Sequence, residues 1–236
     1  MICPKKILLL ASGFWLLASP LSAAISHTGS CANNSTSCTL SATATGDLKV
    51  VYAVNSTAAT IPTLASGWTL IESKAGAGQV TMAEITACQV ASSSSDTGTG
   101  TWTNATLITG ISYAGTNVGT TANCNTTGVG GHSFASANAS TTMNYQTITM
   151  SGTISWVNGS AAGSASSTCV PSGMTQVTGS SSGITANDTN GIVSSWATTG
   201  CTVTSEKWIE ETIEILGKPA AVTCALSTAL LGVGCR

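Results

Sequence analysis

Trp208-Ile209-Glu210-Glu211-Thr212-Ile213-Glu214-Ile215-Leu216 places Ile209, Glu211, Ile213 and Ile215 on one face of an extended chain. Trp208, Glu210, Thr212 and Glu214 fall on the other. Successive side chains of a strand point to opposite sides, so this period of two predicts a β-strand with one apolar face. Glu211 is the odd member of that face and is expected at a bulge or a sheet edge. Glu210 and Glu214 read as the solvated side of the alternation.

Outward from this strand the pattern repeats in shorter pieces. Further strands are predicted at residues 37–42, 48–54, 69–72, 80–90, 99–103, 107–113, 145–150, 153–157, 174–179, 183–187 and 193–197. Turn formers such as Gly46-Asp47, Ser66-Gly67, Asn158-Gly159 and Asn190-Gly191 punctuate these runs. Ser, Thr, Gly and Asn, all weak in helices, recur every few residues. The expectation is an all-β protein, a single antiparallel β-sandwich of jelly-roll-like type, with a long loop and short disulfide-closed termini. The loop is residues 114–142, which lack apolar periodicity and carry Cys124. The predicted organisation is a signal peptide at 1–24, the sandwich at 25–218, and an apolar segment at 219–236 packed on it.

The N-terminal segment decides the compartment. Lys5-Lys6 precedes an apolar run over residues 7–18, and Ser22 and Ala24 supply the small residues of a signal-peptidase site. The run is well short of the about 20 residues a spanning helix needs, so no stable membrane span is expected. Removing the segment leaves five Lys or Arg and nine Asp or Glu. Scattered cations in an acidic chain do not make a phosphate-binding surface, which excludes a nucleic-acid partner.

Nine cysteines occur, and without Cys3 of the leader eight remain: Cys31, Cys38, Cys88, Cys124, Cys169, Cys201, Cys224 and Cys235. An even number behind an export signal predicts disulfides and a secreted, periplasmic or extracellular location. Cys31–Cys38 and Cys224–Cys235 are the sequence-local pairs; the order among the other four stays open. No C-x-x-C occurs, and His27 and His132 lie far from any cysteine pair at ligand spacing, so neither a zinc-finger-like site nor any other metal or cofactor is expected.

Catalytic motifs are weak. Gly131-His132-Ser133-Phe134-Ala135 approaches the G-x-S-x-G nucleophile elbow but lacks the last Gly and the strand-to-helix context. Glu72, Glu84, Asp96, Asp188, Glu206, Glu210, Glu211 and Glu214 could supply a carboxylate pair, but they read better as turn and surface groups. Asp96-Thr97-Gly98 and Asp188-Thr189-Asn190-Gly191 are turn formers before they are calcium ligands. Trp68, Trp102, Trp156, Trp196 and Trp208 are candidate sugar-stacking faces, with a core role as the plainer reading. The chain is therefore expected not to be an enzyme. It is expected to serve a structural, adhesive or binding role at the cell exterior, with a surface glycan or protein as partner.

The order of several landmarks resembles a known family. Gly46-Asp47-Leu48-Lys49-Val50-Val51-Tyr52-Ala53, Ser66-Gly67-Trp68-Thr69-Leu70, Gly100-Thr101-Trp102-Thr103 and Ile111-Ser112-Tyr113-Ala114-Gly115 are followed by Pro171-Ser172-Gly173-Met174 and Asp188-Thr189-Asn190-Gly191. They resemble β-sandwich domains of tailed-bacteriophage tail-associated proteins and of bacterial secreted or surface proteins. The resemblance spans roughly residues 46–216 and implies a fold and a structural or host-attachment role, with no catalytic residue. An export leader and eight cysteines fit a secreted bacterial relative better than a virion part assembled in the cytosol.

Overall fold

The computed structural model describes residues 24–40, 44–118, 123–165, 168–179 and 183–219. The predicted leader up to residue 23, and the tail that holds Cys224 and Cys235, lie outside the described residues. The first half of the body forms β1 (Ser26–Asn33), β2 (Leu48–Asn55), β3 (Thr69–Ala75), β4 (Ala83–Val90) and β5 (Leu107–Ala114). A one-turn helix, α1 (Cys124–Thr127), leads to β6 (Val129–Tyr145), β7 (Ser155–Gly163), β8 (Thr175–Gly179), β9 (Ile184–Asp188) and β10 (Thr199–Leu216).

These strands make two antiparallel five-stranded sheets, ordered β1-β5-β2-β4-β3 and β6-β10-β7-β9-β8. Shifting the first order by five strands gives the second, so both halves of the chain carry the same connectivity. The all-β antiparallel sandwich matches the sequence expectation. Its threading differs from a jelly roll, because each sheet is drawn from one half and the described chain passes between sheets once, through α1. The sheets stack in opposite sense: β1 lies against β8, β5 against β9 and β4 against β10. Tyr52 of β2 hydrogen-bonds Asn158 of β7 at the middle of the stack.

The inner faces meet in a core of Leu48, Val50, Tyr52, Ile111 and Tyr113 against Trp156, Ala186, Ile213 and Ile215. It continues through Val54, Met82 and Leu107 to Ala162, Ile184 and Ile209. Each sheet also has a covered outer face. On the first, Val51, Ala53, Ile85 and Ile108 lie beneath Ala65, Trp68, Trp102 and Ala105. On the second, Val157, Ala161 and Trp208 lie with Ile148, Cys169 and Trp196. Covering both faces explains why every residue of β2, β7 and β9 is buried.

This second covering corrects the reading of β10. Glu210 and Glu214 are fully buried, not solvated, because the connections after β6, β7 and β9 roof the face they occupy. Glu211 sits neither at an edge nor at a bulge. It lies in a regular stretch of a central strand, opposite Phe134 on one side and Ser160 on the other.

Residues 129–142 are likewise not loop. They form most of β6, whose backbone pairs along β10. Such an edge strand needs no apolar alternation, since polar side chains suit its position. Of the expected loop, only the described residues between the end of β5 at Ala114 and the start of β6 at Val129 lie outside strands, and they include α1. β1 is an edge strand of the same polar kind, whereas 99–103, 193–197 and, beyond Tyr145 at the end of β6, 146–150 are covering segments held by turns and isolated bridges.

Disulfides join Cys31 to Cys38, the expected local pair, and Cys88 to Cys124 and Cys169 to Cys201 among the four left open. Cys88–Cys124 ties β4 to the passage between sheets. Cys169–Cys201 ties the outer covering of the second sheet to β10.

Candidate functional site

The stacking leaves two seams where an edge strand of one sheet meets an edge strand of the other, and a histidine stands at each. His27 is on β1 and His132 on β6, the first strand of each half. Pairing of His27 with Tyr113 and of His132 with Ile213 puts both rings on the inner side.

At the β1/β8 seam the His27 Nε2 bonds Asp188 Oδ2, and the Tyr113 hydroxyl donates to the same oxygen at 3.1 Å. The Asn190 amide donates to Asp188 Oδ1 at 3.0 Å. The His27 ring packs 5.4 Å from both Tyr113 and Trp156. Burial, then the Asp188 charge, pushes the Tyr113 phenol well above its ordinary range. This carboxylate is fully buried, and His27, Tyr113 and the Asn190 amide occupy its oxygens.

The β3/β6 seam is built differently. A bulge between Leu70 and Glu72 turns Glu72 and Lys74 to the inner side, opposite Thr86 and Glu84. His132 is diagonal across the β6–β10 pair from Glu211, within reach for long side chains. His132 Nδ1 lies 2.7 Å from Glu72 Oε2 and 3.5 Å from Glu211 Oε1. Lys74 Nζ lies 2.8 Å from Glu72 Oε1. The donor atoms of Glu72, His132 and Glu211 all fall within 4.8 Å of one another. A Cβ on Gly131 would meet Thr149 O at 2.1 Å, so glycine before His132 lets the neighbouring segment close over this strand.

Exposure grades across this seam: the His132 side chain is 38% exposed, Glu72 16% and Glu211 1%. The Glu211 carboxylate beside His132, followed by Glu72, holds the imidazolium up to about 8 against burial. Burial pushes Glu211 up to about 7, with His132 opposing it. Burial also acts to raise Glu72, but hydrogen bonds from Lys74 and His132 outweigh it and keep the group below its ordinary value. A base, an acid and a fixed carboxylate thus converge with one open side, an arrangement able to hold a proton or a cation.

The remaining candidates lie elsewhere. Trp68 and Trp102 pack edge to face at 5.6 Å under the first sheet's covering, with Lys49 Nζ 5.3 Å from the Trp68 ring centre. Trp156 is in the inner core, and Trp196 and Trp208 are in the second sheet's outer core. All five are at most 9% exposed, so none turns a flat face outward as sugar stacking requires. Asp96 accepts from Lys49, which also donates to Gln89 and Gly98. Glu214 accepts from the amides of Gly131, Ser151 and Gly152 and the hydroxyls of Ser151 and Ser155. Glu206 accepts from the Ala165 amide and Glu210 from Thr212. Glu84 is buried without a partner for either oxygen among the described residues.

Ser133 lies in the body of β6 opposite Thr212, far from the strained turn of a nucleophile elbow. The seam residues were visible singly in the sequence. What marked them was a charge on an apolar face at Glu211 and the scarcity of histidine, signals that name residues without joining them. No family model, curated protein or solved structure matches this chain.

Proposed function

We propose that this chain is an exported, disulfide-braced β-sandwich that serves a structural, adhesive or binding role at the cell exterior. The observation that carries the reading is the three disulfides among the described residues, which brace the N-terminal strand, the passage between sheets and the outer covering. Bonds of this kind persist in oxidising compartments. No helix of the described residues is long and apolar enough to cross a membrane. The likeness to tail-associated and surface sandwich domains supports attachment as the form such a role takes, while the buried tryptophans give no support to a sugar-stacking platform.

The test is to express the full chain with its leader in a bacterium and measure intact mass, reduced and non-reduced, in cytosolic, periplasmic and surface-washed fractions. The expected result is a chain lacking residues 1–24, oxidised, and retained outside the cytosol. A full-length chain with free thiols in the cytosol breaks the reading.

A further inference from the structure

The Glu72–His132–Glu211 cluster contains one group that its neighbours do not satisfy. Glu211 Oε1 is buried in the sandwich, points toward His132, and has no hydrogen-bond partner among the described residues. The 3.5 Å separation from His132 Nδ1 is an ion-pair distance only. A buried carboxylate oxygen without a hydrogen bond is costly, and the part-exposed His132 ring at 3.5 Å offsets that cost only in part. Asp188, at the opposite seam, has both oxygens bonded.

We propose that Glu72, His132 and Glu211 form a binding site for a divalent transition metal, with zinc the best match, that clips the edge of the first sheet to the second. One nitrogen and two carboxylate oxygens are ligands that zinc accepts at about 2.0–2.2 Å, whereas calcium and magnesium favour oxygen alone. Tetrahedral coordination at those lengths sets ligand atoms about 3.4 Å apart. The two separations from His132, 2.7 and 3.5 Å, bracket that value, and all three ligand atoms lie within 4.8 Å of one another, so a rotation of His132 or Glu72 admits the ion. Both side chains are partly exposed. Glu211 is the fixed ligand, because β10 is paired on both sides. The fourth position faces the open side of the seam and takes water. Lys74 competes for the site, since its ammonium occupies Glu72 Oε1 and repels a cation.

The experiment uses the full chain, oxidised and untagged, with zinc chloride alone as the probe and calcium and magnesium chloride as comparators. Thermal unfolding and calorimetric titration should show one zinc per chain and a rise in Tm of about 5–10 °C at a hundredfold excess over Kd. Neither comparator should reproduce that rise. His132→Asn and Glu211→Gln should each weaken binding at least tenfold, and His27→Asn should leave it unchanged. Lys74→Ala should tighten it, an outcome that a cluster acting only as an ion-pair clasp would not produce. Circular dichroism of the zinc-free variants checks that each is folded, and Glu72→Gln, at the sheet edge, serves if Glu211→Gln is not. No zinc-dependent rise in the parent chain, or an equal rise in His132→Asn, overturns the proposal.

Discussion

The two halves of the chain share one strand order yet fill it with different chemistry. In the first sheet the outer face is closed by an apolar cluster around Trp68 and Trp102, with its single buried cation, Lys49, holding three acceptors. In the second the outer face carries Glu206, Glu210 and Glu214, all buried, beside Trp196 and Trp208. Trp102 Nε1 donates to Thr99 O at 2.9 Å, whereas Trp196 and Trp208 have no partner for theirs among the described residues. Connectivity fixes which strands are neighbours, and leaves open whether a covered face is closed by apolar contact or by bonded carboxylates.

The largest effect that tests this contrast is removal of an outer-core indole. Trp102→Ala should destabilise the oxidised protein by about 3–5 kcal/mol in denaturant unfolding. Trp102→Phe should cost more than Trp208→Phe, because only the first leaves a backbone carbonyl unpaired. Equal costs would show that the bond to Thr99 contributes nothing.

Disulfides come next. By loop closure, replacing Cys88 and Cys124 together with Ala should cost about 3–4 kcal/mol, and the Cys169 and Cys201 pair about the same, since the loops they close span 36 and 32 residues. The seven-residue loop of Cys31–Cys38 should cost about 2 kcal/mol. A markedly larger loss at Cys88–Cys124 would mean that the passage between sheets is the weak point of the fold.

The smaller effects are in pH dependence, where one buried carboxyl from each half, Glu214 and Glu84, should differ in sign. Burial works to raise Glu214, but hydrogen bonds from Ser155, Ser151, Gly152 and Gly131 prevail and hold its pKa below the ordinary value. Its stabilisation is therefore complete above the unfolded carboxyl pKa of about 4.3 and is lost as pH falls through the lower folded value. Glu214→Gln should cost about 2–3 kcal/mol at pH 7 and much less in acid. Glu84 is the reverse case: burial, then the Glu211 charge, raises it well above the ordinary value. The folded state then binds the extra proton, so stability falls as pH rises from about 4.3. Glu84→Gln should flatten that fall, giving a gain at pH 7 that disappears near pH 4. Melting curves across this range check both signs, and a gain from Glu84→Gln independent of pH would remove the buried-acid account.

Legibility in the sequence followed burial. β2, β5, β8 and β9 were read nearly to their ends, because short β-branched or apolar runs between turn residues have few alternatives. β1 and β6 were missed because edge strands rich in Gly, Ser, Asn and Thr are specified by pairing and not by hydrophobic pattern. At the seam each member was noticed alone, but 60 residues separate Glu72 from His132 and 79 separate His132 from Glu211. No local rule spans such distances.

By itself, then, the sequence determined the strand-and-turn grammar, the local Cys31–Cys38 bridge and which residues of β10 share a face, since these depend on neighbours along the chain. Only the tertiary structure decided that the supposedly solvated face of β10 is covered, that both halves repeat one strand order, and that Glu72, His132 and Glu211 converge. Period two states which side chains point the same way; what they point at is set by the layer packed above them.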